Sequence, residues 1–139
     1  MKEKYFQTIH QIICTGHWIT DQVSLALKSF GITEPQYNVL RILKEANGNP
    51  LTVQTILANM VQRSSNITRI VDKLLSKGFV ERKECPSNRR KMDITITEAG
   101  KKILKQLDDK VFEFHSPLMD KLTSEELEHL KQLIIKLKK

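Results

Sequence analysis

The spacing of apolar residues changes period once along this chain, and that change limits what its middle can be. Ile67, Ile70, Val71, Leu74 and Leu75 fall at i, i+3, i+4, i+7 and i+8, the single apolar face of a helix. The opposite face carries Ser65, Asn66, Thr68, Arg69, Asp72 and Lys73. Gly78 ends the pattern, and Phe79 is placed for the hydrophobic contact of a C-terminal cap. From there the period is two. Residues 79–83 read as a strand, and residues 92–97 alternate apolar and polar as a half-buried strand does. Cys85, Pro86, Ser87 and Asn88 lead into Arg89, Arg90 and Lys91, a turn-rich stretch with three adjacent bases. The expectation is a helix followed by a β-hairpin with a cationic tip.

The flanks are helical. Apolar residues recur from Phe6 through Ile9, Ile13, Ile19, Val23 and Leu27 to Phe30, and Gly31 follows where a helix end favours a left-handed residue. Thr33, Pro35 and Gln36 form a capped start for a second helix, whose buried stripe would be Tyr37, Leu40, Ile42 and Leu43. Asn47, Gly48 and Pro50 break it. A short third helix begins at Thr52 and buries Ile56, Leu57 and Met60, and a tight connection at residues 62–65 starts the fourth at Ser64 and Ser65. Beyond Thr97, a stripe of Ile103, Leu107, Val111 and Phe114 stops at Pro117. Thr123 and Glu126 open a last helix with Leu127, Leu130, Leu133, Ile134 and Leu137 on one side.

At 139 residues the chain is long enough for one domain with a real core. Five glycines and four prolines are too few for an all-β sandwich. The cysteines, Cys14 and Cys85, are too few for a disulfide scaffold and point to a reducing cytoplasm. No apolar run approaches the roughly 20 residues of a membrane span, and the N-terminal segment does not read as a signal peptide. Charge is more telling. Residues 63–91 hold nine bases (Arg63, Arg69, Lys73, Lys77, Arg82, Lys83, Arg89, Arg90, Lys91) and three acids (Asp72, Glu81, Glu84), six of the chain's seven net positive charges. Charge focused on one segment implies a polyanionic partner there.

Two short helices, a tight turn and a basic hairpin make a winged helix-turn-helix, so the fold class is mainly α with a small β wing. The physics suits double-stranded DNA. A major groove about 12 Å wide admits one helix, apolar behind and small-polar or basic in front. Ser65, Asn66, Thr68 and Arg69 are residue types that bond to base edges and phosphates. A helix N-terminus at Ser64 and Ser65 adds free N–H groups for a phosphate. An arginine on the hairpin suits the narrower minor groove, where the potential is most negative.

The stretch from Leu51 and Thr52, through Thr68, Arg69, Ile70, Val71, Asp72, Lys73 and Leu74, then Lys77, Gly78, Phe79, Val80, Glu81 and Arg82, to Asn88, Arg89 and Arg90 and on to Ile96, Thr97, Glu98, Ala99 and Gly100, closely resembles the MarR family of multiple antibiotic resistance regulators. The flanking helices match that family's layout. The resemblance implies residues 1–32 as an N-terminal dimerisation helix, 33–99 as the DNA-binding lobe and 100–139 as C-terminal dimerisation helices. It implies a homodimer on a pseudo-palindromic operator, repressing nearby genes until a small molecule or oxidation releases it. Carried over to this chain, the DNA-binding residues are Ser64, Ser65, Asn66, Thr68, Arg69, Lys73, Arg89 and Arg90. Arg90 stands for the arginine of the family's Asp-x-Arg tip. Asn88 replaces the acidic residue of that motif, which implies a looser or more positive wing.

Other readings have less behind them. Lys77, Arg82 and Lys83 divide evenly between phosphate contact and plain surface. His10, Cys14, His17 and Asp21 form a stripe on the first helix that could hold a metal, but a polar stripe opposite an apolar one is ordinary amphipathicity, so no metal or cofactor is expected. Cys14 invites a thiol-sensor reading, although its spacing to Pro35 and the positions of Tyr5 and Tyr37 differ from the family's peroxide-sensing branch. Trp18, Phe30 and Tyr37 could border an effector cleft. No Cys-His-Asn set, glycine-rich phosphate loop or paired carboxylates suggest an enzyme. A winged helix used as a protein-interaction module would have little use for bases on both the hairpin and the helix. The first and last helices need a surface to bury against, and a second copy supplies it.

Overall fold

A computed structural model describes residues 1–62 and 66–139, together with the backbone, though not the side chain, of Arg89. The order is α1 (Lys2–Lys28), α2 (Glu34–Glu45), β1 (Leu51–Thr52), α3 (Val53–Ala58), α4 (Ile67–Ser76), β2 (Val80–Cys85), β3 (Asn88–Ile96), α5 (Glu98–His115), a 3-10 turn (Ser116–Lys121) and α6 (Ser124–Leu137). Mainly helical with a small antiparallel sheet, this is the winged helix-turn-helix that the change of period predicts.

Both predicted capping boxes form. Gln36 N donates to Thr33 Oγ1 (3.3 Å) while Thr33 N donates to Gln36 Oε1 (3.2 Å), and Thr123 and Glu126 repeat the exchange at α6. Gly31 (φ +68°) and Gly78 (φ +76°) take the left-handed conformation expected after α1 and α4. The core joins Leu27 of α1, Leu40 and Leu43 of α2, Ile56 of α3, Val71 and Leu74 of α4, Ile94 of β3, and Leu104 and Leu107 of α5.

Several local expectations need correction. The sheet has three strands in the order β1-β3-β2, with Leu51 opposite Ile94. The hairpin strands are longer than alternation suggested, because the β2–β3 ladder runs through residues exposed on both faces. Arg89, Arg90 and Lys91 therefore belong to β3, and the turn itself is Pro86 and Ser87. The fourth helix starts at Ile67 with Asn66 as its cap, later than the predicted Ser64–Ser65 start. In α2, Val39 is fully buried while Ile42 is only partly so. Phe6 and Ile13 of the first predicted stripe are 58% and 54% exposed, whereas Val23 and Leu27 are buried.

One close approach sets the junction between wing and α5. A Cβ built on Gly100 would lie 2.1 Å from the Phe79 carbonyl oxygen and 2.7 Å from Ile96 Cγ1. Thr97 caps α5 through Gly100 N and also donates its hydroxyl to Gly78 O (2.7 Å). The first turn of α5 thus lies directly on the end of β3 and the turn before β2.

Candidate nucleic-acid interface

Ile67, Val71 and Leu74 face the core from α4, so Asn66, Thr68, Arg69, Asp72 and Lys73 are exposed together. Asn66 Oδ1 accepts the Arg69 backbone N–H (3.2 Å). Its oxygen is engaged as a cap, which leaves the amide NH₂ to face outward partners. Thr68, Arg69 and Lys73 make no side-chain ion pair among the described residues. Ser64 and Ser65 lie outside the described residues, as does the side chain of Arg89.

The wing is braced against this helix. Arg82 Nη1 of β2 lies 3.0 Å from Asp72 Oδ1 of α4. The Arg82 guanidinium, which the sequence divides between phosphate contact and plain surface, is a strut between β2 and α4. Arg90 is exposed on β3, and its backbone N–H donates to Asn88 Oδ1 (2.9 Å). Asn88, the first residue of β3, thus supplies an uncharged side-chain acceptor for the Arg90 backbone N–H. Lys77 is also committed, its Nζ donating to Gly31 O at 2.6 Å.

Other residues singled out in the sequence are spread over the molecule. Cys14 Sγ and His10 Nε2 are 3.4 Å apart on the exposed side of α1. Among the described residues, no three of His, Cys, Asp and Glu group closely enough to hold a metal ion. Cys85, half-buried, lies 3.2 Å from Ser87 Oγ. Of the three aromatic residues, Trp18 is exposed, Phe30 is partly buried against the core and Tyr37 is buried. Trp18 stacks edge-on against Phe114 of α5, and Tyr37 is core, donating its hydroxyl to Asp108 Oδ1 with the Arg41 guanidinium over its ring. An open cleft of about 690 Å³ lies at the corner between α1 and α2, lined by Asp21, Leu25, Lys28, Gly31, Ile32 and Glu34 among others. Burial, and then the negative charge of Asp21, raise the Glu34 carboxyl above the ordinary carboxylate range.

The sequence did not reveal the polar ties Asp72–Arg82, Lys77–Gly31 and Tyr37–Asp108. The partners are 10, 46 and 71 residues apart, where no local period links them.

A short helix leading to an amphipathic helix with a polar, basic outer face, and a basic hairpin braced to it, define a winged-helix DNA-binding protein. The sequence profile of the MarR family matches residues 32–92. An HTH-type transcriptional regulator of Bacillus subtilis, YdgG, is 33% identical over 109 residues, covering 77% of this chain and 70% of its own. A second from that organism, YpoP, is 32% identical over 108 residues (78% and 75%). A variant of Escherichia coli MarR, crystallised with operator DNA, superposes with a TM-score of 0.81 at 25% identity, over 96% of this chain and 95% of that one. The chain belongs to the MarR family. It is a DNA-binding transcription regulator, and the family's members are not enzymes. No helix among the described residues is long and apolar enough to cross a membrane.

Proposed function

We propose that the chain is a homodimeric, cytoplasmic repressor that binds a pseudo-palindromic operator near its own gene and leaves it when a small molecule binds. The observation that carries this reading is the exposed set Thr68, Arg69 and Lys73 on a helix whose other face is core, with Arg90 on the adjoining wing. Thr68 and Arg69 read base edges, Lys73 reaches the backbone and Arg90 enters the minor groove. Asn66 contributes its amide, and Ser64, Ser65 and Arg89 complete the DNA-binding set.

Dimerisation is supported by α6, which has no buried residue and leaves Leu127, Leu130, Leu133 and Leu137 between 46% and 53% exposed. A helix of this length is marginal in water without a packing partner. The exposed Phe6 and Ile13 of α1 offer apolar surface of the same kind. Residues 1–32 and 100–139 are the dimer-forming parts, and 33–99 the reading lobe. The cleft at the α1–α2 corner, where Leu25 and Ile32 lie with Asp21, Lys28 and Glu34 in its lining, supports effector control. A second reading, a thiol-responsive sensor, has the exposed Cys14 beside His10 in its favour.

The test is a fluorescence anisotropy titration of a duplex from the gene's upstream region against a scrambled duplex at two salt concentrations. Binding to the upstream duplex alone, at one dimer per site, is the expected result. Equal, steeply salt-dependent binding to both would leave only a general DNA anchor, and a monomer in sedimentation equilibrium at micromolar concentration would overturn the dimer. Mild peroxide that oxidises Cys14 without changing DNA binding would remove the thiol reading.

A further inference from the structure

We infer that Lys77 is a positioning residue that sets the angle between the recognition helix and the dimer-forming helix α1, and so the operator half-site spacing the protein accepts. The inference rests on the dimeric operator-binding reading above. Lys77 caps the C-terminal end of α4, 11 residues beyond Asn66. At 1.5 Å per residue, that places it about 16 Å along the helix from the end that enters a groove. Its Nζ donates to Gly31 O at 2.6 Å, a short charge-assisted bond between elements 46 residues apart in sequence. Gly31 is the left-handed residue at which the chain turns out of α1 towards α2. The bond therefore joins the base of the recognition helix to the corner where the reading lobe leaves the dimer helices.

In a two-fold dimer, a change in that angle moves both recognition helices, and their separation must match the half-sites. A one-base-pair insertion shifts a half-site by about 3.4 Å and turns it by about 35°. A protein with a rigid lobe–dimer angle rejects such a duplex, and one whose lobe swings accepts it. Gly31 also lines the α1–α2 cleft, so the strut runs from the cleft's wall to the base of the recognition helix.

The experiment compares wild type, Lys77→Met and Lys77→Arg on the upstream duplex and on versions with one base pair inserted or removed between the half-sites. Methionine keeps the apolar stem and loses the donor, arginine restores a donor, and the exposed position lets both fold, as matching thermal melts would verify. Wild type is expected to bind the respaced duplexes at least about tenfold more weakly, and Lys77→Met to narrow that ratio to about threefold or less, with arginine recovering most of it. The slope of log affinity against log salt stays unchanged in Lys77→Met. A slope reduced by about one would make Lys77 a phosphate contact and overturn the inference. Undiminished spacing discrimination in Lys77→Met would overturn it too, with the operator reading intact. A wild type that prefers no duplex overturns the operator reading and this inference with it.

Discussion

Arg82 of the wing and Asp72 of α4 are joined at 3.0 Å across the gap between the two elements proposed to read DNA. Both side chains are substantially exposed, so the pair contributes about 0–1 kcal/mol to folding. Its larger effect is on relative orientation. A double-mutant cycle with Asp72→Asn and Arg82→Gln, followed by chemical denaturation, is expected to give a coupling below about 1 kcal/mol that shrinks in 1 M salt. Either single variant should lose more DNA affinity than stability.

Arg90→Ala is expected to weaken operator binding by roughly 1–3 kcal/mol, the scale of a good groove contact. Asn88→Ala should weaken it as well, by freeing the Arg90 N–H that now bonds to Asn88 Oδ1. Asn88→Asp keeps that acceptor and should bind more like wild type than the alanine variant does. Anisotropy titration of all three would measure the order, and unchanged affinity in Arg90→Ala would remove it from the interface.

Tyr37 gives a pH signature. Burial, then its hydrogen bond to Asp108 and that carboxylate's charge, push the phenol above the ordinary tyrosine range, with the Arg41 guanidinium opposing. The fold thus prefers the protonated phenol. The associated stability is fully present below the unfolded value near pH 10 and declines as pH rises above it, because the unfolded chain releases the proton first. Tyr37→Phe should lack this component of the alkaline decline. At pH 7 it should be less stable by about 1–3 kcal/mol, since the Asp108 carboxylate loses a donor. Denaturation curves at pH 7, 9 and 11 for both proteins would test this, and identical alkaline slopes would contradict it.

Gly100→Ala should destabilise the protein by about 1–3 kcal/mol, the usual range for forcing a methyl into filled space. The obstacle is the Phe79 carbonyl, which is backbone and cannot rotate away. Differential scanning calorimetry would check it, and an unchanged melting temperature would mean that the α5–wing junction yields easily.

Where the chain's own spacing carries the signal, the sequence was readable. The α4 stripe needs only its i, i+3, i+4 pattern, and each capping box is complete within four residues. β1 was missed because two residues cannot display a period, and it exists only through pairing with Ile94 and Asp93. The outer wing was misplaced because Arg90, Lys91 and residues 81–84 bury neither face, so alternation had nothing to report. The aromatic trio is ambiguous in sequence because aromatic side chains fill cores as readily as they line clefts, and Tyr37 does the former. At the candidate site, the exposed face of α4 was legible from its own amphipathicity, whereas the strut roles of Arg82 and Lys77 depend on which distant groups the fold brings beside them.

The contact of Gly100 with Phe79 has a mechanical consequence. It clamps the base of the wing to one end of α5, a continuous helix of 18 residues and therefore about 27 Å long. Its far end carries the exposed Phe112 and the edge-on contact of Phe114 with Trp18 of α1. A helix held this way is a lever arm, and a tilt of about 10° at the far end displaces the clamped end by about 5 Å, a large fraction of the roughly 12 Å width of a major groove. In the proposed dimer, small rotations between subunits would thus be amplified into engagement or withdrawal of the wing, with no strand or helix having to melt.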